Sequence, residues 1–338
     1  MFDDLRLSDD GRSVLDAAME RSRRAIRSAR SSLAGDPELP EGHDVVAFGS
    51  LARFELTPQS DLDWLIVAAG AKHAFDTAPI IERLKSRLVE GVTLSNPGDS
   101  KLFGEIISVD DLVTHIGLQE DTNHTTTRRI LFLEESVSLA HPRIHEDAMR
   151  RVLHAYLHAK KESDQIPRFL LNDIIRYWRT IAVDYQAKAV QKNPKALRYL
   201  KLLIPRKLCY VASVAPLYEL HRRRGERDND VKIDYLVDQY STPALERLLD
   251  LLAGLARAGD PDVGERCARV AQTASTFIER SGDADWRAAI EADFLTEDPR
   301  MSDHFGTMRT LGKNLHEDLC GIFHAEPFAS FSREYMVI

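Results

Sequence analysis

The sequence predicts an α+β protein, with a small mixed-sheet domain followed by a larger all-helical domain. Three observations carry this. Strand-like apolar runs are confined to the first third of the chain, at 44–48, 62–67 and 102–108, with a further candidate at 91–95. After about residue 110 the strand signal nearly disappears, and apolar residues recur at helical spacing instead. A break around Ser138-Leu139-Ala140-His141-Pro142 separates the two patterns. The expected organisation is residues 1–140, residues 141–326 and a C-terminal tail, 327–338.

The elements follow in order. Residues 9–34 read as one amphipathic helix: Ser8 suits the N-cap, and Val14, Leu15, Ala18, Met19, Ile26 and Leu33 recur along one face. The breaker-rich stretch 35–42 leads into the first strand. A helix is expected at 79–90 and a turn at Asn96-Pro97-Gly98-Asp99-Ser100. Beyond the sheet region, helices are expected at 110–117, 125–139, 145–161, 167–191, 195–220, 231–240, 243–258, 261–280, 284–293 and 302–324. No repeat of fixed period and no low-complexity tract is visible.

Bulk properties predict a cytoplasmic protein. The chain of 338 residues is long enough for a sizeable core and two domains. Cys209, Cys267 and Cys320 have neither metal-ligand spacing nor a disulfide framework. The charged start gives no signal-peptide pattern, and no apolar run approaches the ~18 residues of a membrane span. The net charge of −8 offers no general attraction to nucleic acid. Charge is uneven, however: from Arg168 to Asp230, 14 Lys and Arg face 6 Asp and Glu. A basic helical stretch in an acidic chain suits a phosphate-rich ligand, or it is a set of solvated helix faces.

The most informative stretch is Phe48-Gly49-Ser50-Leu51-Ala52-Arg53-Phe54-Glu55-Leu56-Thr57-Pro58-Gln59-Ser60-Asp61-Leu62-Asp63. A Gly-Ser turn follows one apolar strand and precedes another. On the second strand, residues i and i+2 share a face, so Asp61 and Asp63 project side by side. Carboxylates that close repel unless a cation lies between them. Hard oxygen ligands of this kind suit Mg²⁺, or Mn²⁺ in its place.

This motif resembles the DNA polymerase β nucleotidyltransferase superfamily. The run Gly49-Ser50-Leu51-Ala52-Arg53, then Glu55-Leu56-Thr57-Pro58, then Ser60-Asp61-Leu62-Asp63 is similar to the branch of the PII uridylyltransferases and glutamine synthetase adenylyltransferases. The resemblance implies that Gly49 and Ser50 contact the triphosphate of a nucleotide, that Asp61 and Asp63 are metal ligands, and that a third carboxylate completes the site. Glu105, within the apolar run 102–107, is the candidate for that third ligand and for the group that takes the acceptor's proton. Asp110 and Asp111 compete with it, although Ser108-Val109-Asp110-Asp111 also reads as a helix N-cap. Arg53 and Lys101 are candidate phosphate contacts, and Arg53 reads equally as a loop arginine.

In the helical region, Asn172, Arg176 and Arg179 share one helix face, and Lys201 lies in a second basic stripe. The resemblance implies base and triphosphate contacts from such faces; the other reading is buried Asp–Arg pairs that fix helix packing, with Asp173 beside Arg176 and Tyr177. His154 and His158 read as surface residues. The tail carries Phe328, Phe331 and Tyr335. It reads either as a docked extended segment or as the carrier of an acceptor hydroxyl on Tyr335.

The layout of helical half and tail resembles the nucleotidyltransferase of the Hailong antiphage-defence system, which implies an oligonucleotide signal primed on the protein's own tyrosine. The alternatives are nucleotidylation of a separate protein or tRNA, and a catalytically dead binding module. The PII enzymes' regulatory domains have no counterpart here, which argues against a direct equivalent.

Overall fold

Strands β1 (His43–Phe48), β2 (Asp61–Ala68), β3 (Thr93–Leu94), β4 (Ile106–Ser108) and β5 (Ser136–Ser138) form a five-stranded sheet of order β3-β2-β1-β5, with β4 also paired to β2 and with β1 and β2 antiparallel. The computed structural model describes residues 3–35, 37–70, 75–87, 93–94, 102–158, 166–191, 195–223, 225 and 227–336, with 85–87, 93–94 and 188–191 described by backbone alone. β3 and β4 run parallel to β2 at its two ends, and β5 runs antiparallel to β1. The sheet is mixed, as the sequence predicts.

Every residue of β1 is buried, which is why the run reads as continuously apolar rather than alternating. The exceptions are His43 and Asp44, and the Asp44 carboxylate accepts the backbone N–H groups of Ala140 and His141 at 3.1 and 2.7 Å. Burial raises its pKa against the opposing effect of those donors. It ties the chain leaving β5 to the sheet.

The helices are α1 (Asp9–Leu33), α2 (Ala78–Arg87), α3 (Val109–Val113), α4 (Asn123–Glu134), α5 (Pro142–Leu157), α6 (Arg168–Gln191), α7 (Ala196–Leu203), α8 (Pro205–Arg222), α9 (Asn229–Ser241), α10 (Ala244–Ala258), α11 (Pro261–Ser281), α12 (Ala284–Phe294) and α13 (Phe305–His324). Ser8 caps α1 by accepting Gly11 N–H at 3.1 Å. Ser108 and Asp111 form a reciprocal capping box on α3.

Four expectations are corrected. The helix expected over 125–139 stops at Glu134, and Ser136–Ser138 instead pairs with Val46–Phe48, because β1 has an open edge there that satisfies their backbone groups. The strand expected over 102–108 is regular only from Ile106. The helix expected over 195–220 is two helices, broken where Ile204 precedes Pro205 and leaves the helical region (φ −116°, ψ −82°). The tail is not extended: Ala329–Phe331 and Ser332–Met336 are helical turns.

The chain divides into two units. One comprises residues 18–173 and 222–244 and contains the sheet; the other comprises 1–17, 174–221 and 245–338, and its regular elements among the described residues are all helices. The sheet unit's core is built from β1, β2 and apolar residues of α4 and α5, among them Phe48, Leu65, Ile66, Phe132 and Val152. The helical unit packs α11 against α13, and closes on the tail through buried Phe328, stacked on Tyr218, and buried Phe331, edge-on to it. No described helix is long and apolar enough to cross a membrane.

Candidate active site

β1 ends at Phe48, and Gly49 turns the chain with φ +71°, a conformation that favours glycine. The turn closes on itself: Arg53 N–H donates to Gly49 O at 2.9 Å and Glu55 N–H to Ser50 O at 2.8 Å. Phe54 sits at φ +65°, a strained position for a bulky residue, held by the burial of its ring. After the turn, α1 grips Leu56 from both sides, with Ser22 Oγ accepting its N–H and Arg21 donating to its carbonyl. Thr57 and Ser60 then lock a second turn, Thr57 N–H donating to Ser60 Oγ and Ser60 N–H to Thr57 O, both at 3.0 Å. These bonds explain the Thr-Pro-x-Ser part of the motif: it delivers Asp61 to the start of β2.

On β2, Asp61 is exposed, Leu62 buried and Asp63 half-buried. The register pairs Asp63 with Phe48, so Asp63 stands beside the Gly49 turn. A methyl group on Gly49 would lie 3.8 Å from Asp63 Oδ2. Turn amides and two carboxylates on one strand face are thus brought to one end of the β1–β2 pair.

Residues 27–111 match the family model of the nucleotidyltransferase domain. The chain carries a nucleotidyltransferase domain. This agrees with a polymerase β-like architecture, and the matched residues include β1, the turn, β2 and β4. No curated protein and no solved structure matches the chain.

Within the nucleotidyltransferase domain, Glu105 immediately precedes β4. Gly104 N–H donates to Trp64 O at 2.8 Å and Ile66 N–H donates to Glu105 O at 3.0 Å, so two residues stand where a regular parallel pair has one. This is a bulge, with Gly104 at φ +77°. The Glu105 carboxylate is half-exposed and receives Arg128 Nη2 at 2.6 Å. Among the described residues no three His, Cys, Asp or Glu side chains are gathered closely enough to hold a metal. Asp110 and Asp111 have other tasks: Asp111 accepts Ser108 N–H in the capping box, and Asp110 pairs with Arg151.

Arg53 is 7% exposed, and its guanidinium joins Glu55 (2.9 Å) to the fully buried Glu135. It therefore braces the Gly-Ser turn against the α4–β5 junction; contact with a phosphate would compete with these pairs. Lys101 lies outside the described residues. In the helical unit Arg176 is half-buried, and Arg179 and Lys201 are exposed. Tyr335 is half-exposed, with its ring 5.4 Å from His221 and 5.3 Å from Phe331.

The run Asn123 to Arg129 reads from sequence as a capped helix start that could line a cleft; the partners of Arg128 and Arg129, and Glu135 altogether, escaped that reading, and all three residues lie beyond the matched stretch. Arg129 is a buried hub: Nε donates to Tyr156 Oη at 2.7 Å, Nη2 to Asp121 at 2.8 Å and to Asp173 at 3.1 Å, while Tyr156 donates to Asp173 at 2.7 Å. Asp173 thus does form a buried Asp–Arg pair, but with Arg129 from α4. Burial pushes Asp121 upward, yet the Arg129 hydrogen bond, the Gly117 N–H, the Arg129 charge and Thr125 together outweigh it and hold the carboxyl at about 2.

Proposed function

We propose that this protein transfers a nucleoside monophosphate from an NTP or dNTP to a hydroxyl group and releases pyrophosphate in a metal-dependent reaction. The observation that carries this reading is the pair Asp61 and Asp63 on one face of β2, with Asp63 against the Gly49-Ser50 turn. The donor set fits Mg²⁺ or Mn²⁺: both carboxylates offer hard oxygens, and Asp61 is open to solvent, so a cation there keeps part of its water shell. Bound at Asp61 and Asp63, such ions neutralise phosphate charge and polarise the phosphoryl oxygens.

The chain's own groups supply the rest. The Gly49-Ser50 turn presents backbone N–H groups and a hydroxyl to the triphosphate. The acceptor oxygen bonds to the α-phosphorus while the bond from that phosphorus to the pyrophosphate oxygen breaks. Glu105 takes the acceptor proton on the carboxylate oxygen that Arg128 does not hold. Arg176, Arg179 and Lys201 are proposed as further triphosphate contacts.

For the acceptor we propose Tyr335, whose phenol is half-exposed while buried Phe328 and Phe331 anchor the tail. The product is then an oligonucleotide begun on the protein itself, and the defence role follows from the Hailong resemblance. A separate protein or RNA is the second reading, favoured by the basic stretch 168–230.

The test is incubation with each labelled NTP and dNTP plus Mg²⁺, followed by separation of protein from small products. Label on the protein that disappears in Tyr335→Phe supports self-priming, and label only after addition of RNA or lysate transfers the role to an external acceptor. Asp61→Asn and Asp63→Asn are each expected to lower turnover about a hundredfold or more. Turnover unchanged in both variants overturns the catalytic reading.

A further inference from the structure

The helical unit contains a cleft of about 870 Å³ between α11, α12 and the start of α13, walled by the turn Pro299–Met301. Its volume falls in the range of small-molecule sites, roughly 300–1,000 Å³. Two arginines, Arg280 and Arg300, line it, together with His304. The lining holds one carboxylate, Asp303, beside these two arginines. Among the described residues no carboxylate pairs with Arg280, whereas Arg300 Nε donates to Asp298 at 3.2 Å.

The cleft also has an apolar part, to which Trp286 and the 81%-exposed Met301 contribute. The amino end of α13 is already satisfied, because Asp293 Oδ2 accepts the N–H groups of His304 and Phe305 at 2.9 and 3.0 Å. Affinity for an anion therefore rests on the arginines rather than on the helix end. Their planar forks match the oxygen pairs of a phosphate or diphosphate.

We propose that this cleft binds a phosphorylated ligand of nucleotide size, with the phosphates on Arg280 and Arg300 and the organic part against Trp286 and Met301. It is a site separate in composition from Asp61 and Asp63: it uses no carboxylate pair and requires no metal. The choice of a nucleotide rests on the catalytic reading, since a nucleotidyltransferase handles such ligands as substrate and product. The two exposed arginines make the proposal testable without disturbing the core.

The experiment is calorimetric titration of the full chain carrying Asp61→Asn and Asp63→Asn, in EDTA, with ATP, GTP and inorganic pyrophosphate as separate probes. The expected result is saturable binding of one equivalent of nucleotide, tighter than pyrophosphate, weakened at least tenfold by Arg280→Ala with Arg300→Ala. A circular dichroism spectrum unchanged in that variant secures the comparison. No saturable binding, or binding indifferent to the two arginines, overturns the proposal. Pyrophosphate binding as tightly as ATP overturns the part assigned to Trp286 and Met301. Wild-type turnover is measured alongside: if it persists while metal-free binding is absent, the cleft assignment fails and the catalytic reading stands.

Discussion

Arg128 holds Glu105. Its Nη2 donates to the carboxylate at 2.6 Å and its Nε to the Leu102 carbonyl at 3.1 Å, so one guanidinium fixes both ends of the segment that enters β4. The carboxylate proposed to complete the metal site is thus neutralised by a cation from α4, a helix outside the matched residues. In Arg128→Gln this competitor is gone, and the Mg²⁺ concentration for half-maximal turnover is expected to fall by up to about fivefold, the worth of a partly exposed pair. Glu105→Gln is expected to lose turnover at any Mg²⁺ concentration. A half-maximal concentration that rises in Arg128→Gln assigns Arg128 a supporting role instead.

Arg53 is expected to matter for stability more than for binding. Arg53→Ala strands Glu135 in the interior, which costs about 3–5 kcal/mol for a broken buried pair. Adding Glu135→Gln is expected to recover part of this loss. Urea denaturation of the wild type, both single variants and the double variant measures the coupling. A single-variant loss below about 1 kcal/mol contradicts the bracing role.

The Arg129 hub gives a graded series. Tyr156→Phe removes a hydroxyl that accepts from Arg129 and donates to Asp173, an expected cost of about 1–3 kcal/mol. Asp173→Ala leaves Arg129 buried with less compensating charge and is expected to cost more, about 3–5 kcal/mol. Asp121 adds a pH signature. Its folded pKa lies below the usual value, so its stabilisation is complete above about 4 and is lost as pH falls towards about 2. Asp121→Asn removes that part of the acid transition.

His145 predicts a second, milder acid transition. Burial and the nearby Arg30 charge lower its pKa from 6.5 to about 4, and Ser136 Oγ lies 2.7 Å from its Nε2. Between these values the unfolded chain takes up a proton that the folded chain refuses. Stability is therefore full above about 6.5 and falls as pH drops towards 4, by up to ~3 kcal/mol. His145→Gln is expected to flatten the slope of melting temperature against pH in that window. An unchanged slope assigns it to other groups.

Much of this site was legible in the sequence because its geometry is local. Gly49 needs a positive φ, the strand period puts Asp61 and Asp63 on one face, and Ser108 with Asp111 reads as a cap; each depends on residues a few positions apart. The matched nucleotidyltransferase domain covers the same stretch. Ser136–Ser138 was not legible, because three residues after a helix become a strand only where β1 offers an unpaired edge.

By itself, then, the sequence determined the local geometry of the proposed site: a Gly-Ser turn and two carboxylates on one strand face, encoded in sixteen consecutive residues from Phe48 to Asp63. The tertiary structure alone decided the partners of the charged residues around it. Arg53 meets Glu135 from 82 positions away, Arg128 meets Glu105 from 23, and Asp173 meets Arg129 from 44. A buried charge must find an opposite charge in space, and no rule of spacing along the chain says which one it will be.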